Sequence, residues 1–153
     1  MKRSQIRRKT PLRAKQAQRG SAGTGRNRPE PQTVDPGTDE GQQERACRAL
    51  VEQRSKGMCE KCASPQGLQK AHRLARSQGG EWDAANILDL CHACHRTHHE
   101  NPLDAYRGGW HLRRGQDPAE TSVLLFKQGE YNPALLASDG TWRRIDTDLN
   151  VLY

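Results

Sequence analysis

The 153-residue chain has few apolar side chains: 33% of its residues are hydrophobic, 5% are aromatic and a single one is Phe. A chain of this length and composition can build one modest core, so we expect a single small domain. No stretch approaches the roughly 20 apolar residues that a membrane span requires, and no apolar run follows the basic start, as a secretory signal would need. We therefore expect a cytoplasmic protein that does not engage a membrane.

Acidic residues are absent from positions 1–29, which hold ten Lys and Arg side chains. Taking those ten from the 25 in the whole chain leaves 15 basic against 18 acidic residues, so the net charge of +7 comes from this arm. Such an arm can neutralise phosphates and release counterions, although a solubilising tail is the alternative. Between Gly20 and Gln43 the chain is rich in Gly, Pro, Ser, Thr and Gln. We expect residues 1–43 to be a disordered basic arm and linker.

The remaining patterns predict a small α+β domain over residues 44–110. A helix should start near Glu44, place Ala46 and Leu50 on its apolar face and stop at Gly57. After it we expect a strand that ends near His72, a glycine-containing loop, a second strand over NILDL and a short polar helix over HACHRTHHE. Residues 111–153 should form a C-terminal extension, in which SVLLF and the SDGTW turn indicate a few short strands or a hairpin.

Four of the five cysteines form two CxxC pairs, Cys59 with Cys62 and Cys91 with Cys94. A disulfide framework is not expected in a chain without a secretory signal. Two CxxC knuckles supply the four thiolates of a tetrahedral zinc site, so we predict a structural zinc ion. The spacer between the pairs is longer than in simple zinc ribbons, which means that something folds between them. Cys47 should be a small apolar residue of the first helix.

Three polar residues follow in order: His72, Asn86 and His95. Together with the segments CEKC, AHR, RSQGG, NILDLC and HACH, they resemble the HNH endonuclease family, in particular its small phage-type members. The resemblance covers about residues 44–102 and implies a ββα-metal fold and metal-dependent hydrolysis of DNA. It also implies a place in phage DNA processing or packaging. The partners would then be DNA and phage packaging or replication proteins, with no small-molecule cofactor.

The resemblance gives these residues roles. His72 would be the general base, since a neutral imidazole with a pKa near 6.5 can take a proton from water at cellular pH. Asn86 would hold the loop and the catalytic His in place or, as in some family members, touch the metal. His95 would bind the catalytic divalent ion, Mg²⁺ by default or Mn²⁺ or Ni²⁺, and His99 lies on the same helical face as a possible second ligand. Family members commonly carry an Asp or His ligand just before the catalytic His, where this chain has Ala71.

Other interpretations stay open for single residues. Asn86 could be a turn-former, His95 could replace a cysteine on the zinc, and His99 could be a solvated surface residue. Arg73, Arg76 and Arg96 are candidate phosphate contacts, with Gln78 beside them, and a solvated face is the alternative. Trp82 is expected to cap the small core. No role is assigned to His92, His98 or His111.

Three other functions compete with that of a nuclease. A zinc-containing module that binds nucleic acid without cutting it would fit Ala71 and the basic arm. A zinc deaminase requires an HxE element ahead of a PCxxC motif, and neither CxxC here follows a Pro. A scaffold protein would be expected to expose an apolar patch, which the low apolar content does not favour.

Overall fold

The computed structural model describes residues 37–146 and confirms the α+β class. The elements are α1 (Asp39–Ser55), β1 (Leu68–His72), β2 (Ile87–Cys91), α2 (His92–Glu100), α3 (Pro102–Arg107), β3 (Val123–Lys127), β4 (Glu130–Leu136) and β5 (Trp142–Arg144), with a single 3₁₀ turn at Arg76–Gln78. The described residues all belong to one compact unit. Disorder was predicted for residues 1–43, and positions 1–36 of that range lie outside the described residues. In residues 37–146, no helix has the length and apolar character needed to cross a membrane.

Helix α1 begins at Asp39, ahead of the expected start at Glu44. Thr38 caps it, because its hydroxyl oxygen accepts a hydrogen bond from the Gly41 amide at 3.2 Å. Asp39 and Glu40 place negative charge in the first turn, which the helix dipole favours. The helix ends where Lys56 adopts a left-handed backbone conformation with φ 55°. Residues 39–43 are therefore helical and do not belong to a linker.

The buried face of α1 also differs from the prediction. Cys47 and Val51 are buried in the core, whereas Ala46 is exposed and Leu50 is half-buried. Arg54 turns inward on the same face, because Glu60 and two backbone carbonyls receive its hydrogen bonds. A pattern that counts only apolar side chains could not find a face that contains a buried arginine.

Strands β1 and β2 form an antiparallel hairpin that positions both CxxC pairs. Leu68 pairs with Cys91 at one end of the hairpin, and His72 pairs with Ile87 at the other. The first CxxC pair comes just before β1, and the second begins at the last residue of β2. Both pairs therefore meet at the same end of the hairpin, and helix α2 starts there.

Strand β2 is buried along its whole length because both of its faces are covered. Ile87 packs in a core cluster with Cys47 and Val51 of α1. Leu88 and Leu90 point the other way, into a second cluster that includes β3 and β4.

The segment after residue 110 is part of the core and not an extension of it. The predicted strands are present: β3, β4 and β5 form an antiparallel sheet, and Asp139 and Gly140 form the turn of its second hairpin. Val123, Leu125 and Ala134 share one core cluster with the β1–β2 hairpin. The backbone of Phe126 also donates to the carbonyl of Glu60 at 2.8 Å, beside the first CxxC pair. The boundary expected at residue 110 therefore cuts through a single core.

Candidate functional site

The four predicted zinc ligands converge. The sulfur atoms of Cys59, Cys62, Cys91 and Cys94 all lie within 4.8 Å of one another. All four are free thiols, and Cys62 and Cys91, whose sulfurs are 3.7 Å apart, are far beyond the roughly 2.05 Å of a disulfide bond. Cys47 is buried in α1, with 3% of its surface exposed, and does not belong to this group, as predicted.

The cysteine group fits a zinc ion in size and chemistry. Four sulfurs at about 2.3 Å from a tetrahedral zinc lie about 3.8 Å from one another, close to the separation of Cys62 and Cys91. Hydrogen bonds within local turns shape both CxxC knuckles. The Ala63 amide donates to the Cys59 carbonyl at 2.8 Å, and the Cys94 amide points at the Cys91 sulfur at 3.5 Å. The four cysteines can hold a metal ion such as zinc.

A buried polar network fixes the first knuckle to the hairpin. Arg54 and Glu60 form a two-pronged ion pair at 2.8 and 2.9 Å, with both side chains 1% exposed. Glu60 also accepts from the Asp89 amide, and Asp89 binds the Ser55 hydroxyl at 2.6 Å and the Lys70 ammonium at 2.7 Å. Glu60 and Asp89 therefore have structural roles that the sequence patterns did not reveal.

A cavity of about 490 Å³ lies between the end of β1, helix α2 and the segment after α3. Five histidines line it: His72, His95, His98, His99 and His111. Arg76 adds positive charge to its wall, whereas Lys70, which also lines it, is held by the Asp89 carboxylate. Among the described residues no carboxylate lines the cavity. A cavity of this composition suits an anionic ligand such as a phosphate.

His72 stands at the end of β1, on the wall of this cavity. Its ring packs edge-on with that of Trp82, with ring centres 4.7 Å apart. Trp82 therefore covers His72 as well as the core. Burial and the nearby charge of Arg76 lower the pKa of His72 to about 4. The imidazole is therefore neutral at pH 7. Its Nε2 is buried with no hydrogen-bond partner among residues 37–146.

Helix α2 presents His95 and His99 to the cavity from the same face. Their ring centres are 5.1 Å apart, and the Nδ1 of His95 is 2.7 Å from the Gln69 side-chain oxygen. A donor bond from Nδ1 to this oxygen leaves the Nε2 of His95 free to bind an ion, an arrangement typical of metal-binding histidines. Burial and neighbouring His99 lower the pKa of His95.

Two further histidines, for which no role was predicted, complete the wall of the cavity. His98 is 1% exposed and stacks on Trp110, with ring centres 5.4 Å apart and planes 17° apart. His111 follows Trp110, and its ring centre lies 5.3 Å from that of His98 and 5.7 Å from that of His99. Burial and nearby positive charge lower the pKa of His98 to about 3, and burial also lowers the pKa of His111. Long-range packing of the segment that contains Trp110 brings His111 back to α2, which no spacing in the sequence indicates.

Asn86 lies behind the cavity and holds the loop after His72. Its side-chain oxygen accepts from the Leu74 amide at 2.7 Å, and its amide group donates to the carbonyls of Leu74 and Glu81. The loop returns so closely that a Cβ on Gly80 would lie 1.8 Å from the Leu74 carbonyl oxygen. Asn86 therefore positions the segment that follows His72 and does not itself line the cavity.

Arg73 is not a surface contact for phosphate, and that prediction is wrong. The side chain is buried and donates to five backbone carbonyls. These acceptors are Ala85, Gly109, Pro118, Thr121 and Ser122, at 2.8 to 3.1 Å. The backbone pairing continues one residue past β1, where the Arg73 amide donates to the Asn86 carbonyl at 2.8 Å. Successive side chains of such an extended segment alternate, so His72 faces the cavity and Arg73 faces the core.

The other two arginines are exposed. Arg76 lines the cavity and forms an ion pair with Glu40 of α1, each side chain being about half exposed. Arg96 lies on the outer side of α2 with 65% of its side chain exposed and is 3.7 Å from Glu100. Arg76 is therefore the arginine best placed for a ligand in the cavity.

Comparisons with protein-family models, with curated proteins and with solved structures find no match to this chain. The candidate function therefore has to come from the geometry of the cavity and the cysteine group.

Proposed function

We propose that this protein is a metal-dependent endonuclease of the HNH, ββα-metal type that hydrolyses DNA phosphodiester bonds. The observation that carries the proposal is a single cavity, lined by basic side chains, that brings His72 together with His95 and His99. The resemblance to this family implies the order β1, β2, α2, with a four-cysteine group at the end of the hairpin where Leu68 pairs with Cys91.

The reaction needs a water molecule made nucleophilic beside a phosphate. His72 is neutral at pH 7 and can accept a proton as the water oxygen attacks phosphorus. The bond from phosphorus to the 3′ oxygen then breaks, and that oxygen takes up a proton from solvent. A pKa of about 4 makes His72 a weak base in the free protein. A phosphate anion beside the ring would raise that pKa, because it favours the protonated form.

His95 and His99 are the residues of α2 that would hold a divalent cation. Such an ion, when bound, stabilises negative charge on the phosphoryl oxygens. Ala71 supplies no ligand to it and is buried, 6% exposed, in the core cluster. Magnesium is a poor match, since it prefers oxygen ligands and no carboxylate of the described residues lines the cavity.

DNA binding would use positive charge outside the reacting centre. Arg76 stands on the wall of the cavity, and Arg96 lies further out on α2. The ten basic residues of positions 1–29 would add affinity that does not depend on DNA sequence. Removing residues 1–36 should therefore weaken DNA binding and reduce its dependence on salt concentration. An unchanged salt slope would remove the arm from DNA binding.

A zinc-containing module that binds nucleic acid without cutting it is the second candidate. Ala71 in place of a ligand and the low pKa of His72 favour it, since both would weaken catalysis. Phage DNA processing or packaging remains the setting that the family resemblance suggests for either candidate.

Nicking of supercoiled plasmid by zinc-loaded protein separates the two. We expect nicking with Ni²⁺, none with EDTA, and a loss of at least about 100-fold in His72→Ala, the usual scale for a general base. His92→Ala is the matched control, because His92 is exposed on α2 and is not among the residues that line the cavity. Binding of DNA by folded wild-type protein without any nicking would refute the nuclease and favour the module.

A further inference from the structure

We infer that His95, His99 and His111 form a nitrogen-ligand site for a late first-row transition-metal dication, to which the segment after α3 contributes a ligand. The inference rests on the proposed function where it places the ion beside His72, but ion binding can be measured without cleavage. His111 would thus supply from the far side of the cavity what Ala71 cannot.

Ring separations fit shared coordination. Imidazoles that bind one tetrahedral ion through nitrogens at about 2.1 Å have ring centres about 5 Å apart. His99 lies between the other two, 5.1 Å from His95 and 5.7 Å from His111. Among the described residues, only the four cysteines already bring their ligand atoms together. The histidine site would therefore close by rotation of the rings around the ion.

His98 gives independent evidence that the cavity holds a ligand. It lines the cavity, is 1% exposed and packs against His111, yet neither ring nitrogen has a hydrogen-bond partner among residues 37–146. Buried polar groups are nearly always paired with protein, water or a ligand. A hydrated metal ion in this cavity would bring water molecules within reach of His98.

The ligand set selects the metal. Imidazole nitrogens bind Ni²⁺, Cu²⁺ and Zn²⁺ in preference to Mg²⁺, which takes carboxylate and water oxygens. The cavity contains five imidazoles and, within residues 37–146, no carboxylate. We therefore expect Ni²⁺ to bind at least about 100-fold more tightly than Mg²⁺.

The test is calorimetric titration of full-length, zinc-loaded protein with Ni²⁺ and, separately, with Mg²⁺. His111→Ala should bind Ni²⁺ at least about 10-fold more weakly than the wild type, because loss of an outer-shell partner of a metal ligand already costs about 10- to 100-fold. His92→Ala should bind it as the wild type does. A second measurement needs no variant: stoichiometric paramagnetic Ni²⁺ should broaden the imidazole proton signals of His99 and His111 more strongly than those of His92, which does not line the cavity.

The outcomes distinguish this inference from the nuclease proposal. Wild-type affinity in His111→Ala, an unaffected His111 signal, or Mg²⁺ binding as tight as Ni²⁺ would each overturn the inference, even if plasmid nicking occurs. Tight Ni²⁺ binding that requires His111, in a protein that does not nick DNA, would support the metal site and refute the nuclease.

Discussion

Arg73 offers the most decisive test of how this domain is held together. Its guanidinium group uses all five N–H donors on backbone carbonyls, and the residue is 1% exposed. Four of those carbonyls belong to residues 109–122, which connect α3 to β3. Burial lowers the pKa of Arg73 only to about 9, so the group stays charged at pH 7. Arg73 therefore ties the β1–β2 hairpin to the C-terminal half of the core.

Replacing Arg73 by Met keeps an apolar stem but leaves five buried carbonyls without a donor. Each hydrogen bond to a charged group contributes about 1.5 to 3 kcal/mol, but losses within one network do not add. Loss of one partner from a buried charged network costs about 3 to 5 kcal/mol, and we expect at least that much here. Domains of this size are stable by only about 5 to 15 kcal/mol, so Arg73→Met should be marginally folded.

Urea unfolding of zinc-loaded protein at pH 7, followed by tryptophan fluorescence and far-UV circular dichroism, measures the loss. Arg73→Lys should be intermediate, because an ammonium group has three donors for five acceptors. Arg76→Met is the matched control. It removes an exposed ion pair with Glu40 and should cost less than about 1 kcal/mol. A free energy of unfolding for Arg73→Met within 1 kcal/mol of the wild type would refute the structural role assigned to the buried guanidinium.

Three further predictions concern the metal, the cavity and the loop. Chelation of zinc should unfold residues 37–146, seen as loss of the far-UV signal and of the melting transition, because the binding energy of such sites is largely folding energy. His98 should destabilise the protein as pH falls. Its folded pKa of about 3 lies below the ordinary 6.5, so the unfolded state binds more protons in between. At pH 5 this amounts to about 2 kcal/mol, and the stability difference between wild type and His98→Phe should shift by that amount between pH 7 and pH 5. Asn86→Ala removes three hydrogen bonds to the loop after His72 and should cost about 2 to 3 kcal/mol in urea unfolding, whereas Gln78→Ala, in the exposed 3₁₀ turn, should cost little.

The sequence predicted the local elements well because their signals are local. The CxxC pairs, the period of the strands and the turn residues identify β1, β2, α2 and the C-terminal hairpin. The start of α1 was misplaced because its cap, Thr38, lies inside a segment whose composition indicates a linker. Composition averages over many residues, whereas one capping hydroxyl decides where a helix begins.

The errors in the site arise from long-range packing. Arg73 and Arg76 look alike in the sequence, because they are three residues apart and both follow His72 within four residues. A guanidinium group can donate to phosphate oxygens and to peptide carbonyl oxygens, so the residue type does not distinguish the two uses. What separates them is the position of residues 109–122, whose carbonyls meet Arg73 only after the chain has folded back on β1.

The same return of the chain brings His111 to the cavity. Leu112, one residue later, donates its amide to the Arg73 carbonyl at 2.8 Å, and the Trp110 indole donates to the Leu124 carbonyl at 2.8 Å. His111 is thus held between two anchored neighbours, opposite His99 of α2. Because the guanidinium of Arg73 secures this segment, weakening it should also weaken ion binding in the cavity while the cysteine site stays intact. Arg73→Lys, the milder variant, should therefore bind Ni²⁺ less tightly than the wild type at unchanged zinc content. If its Ni²⁺ affinity equals that of the wild type, the segment that carries His111 does not depend on Arg73 for its position.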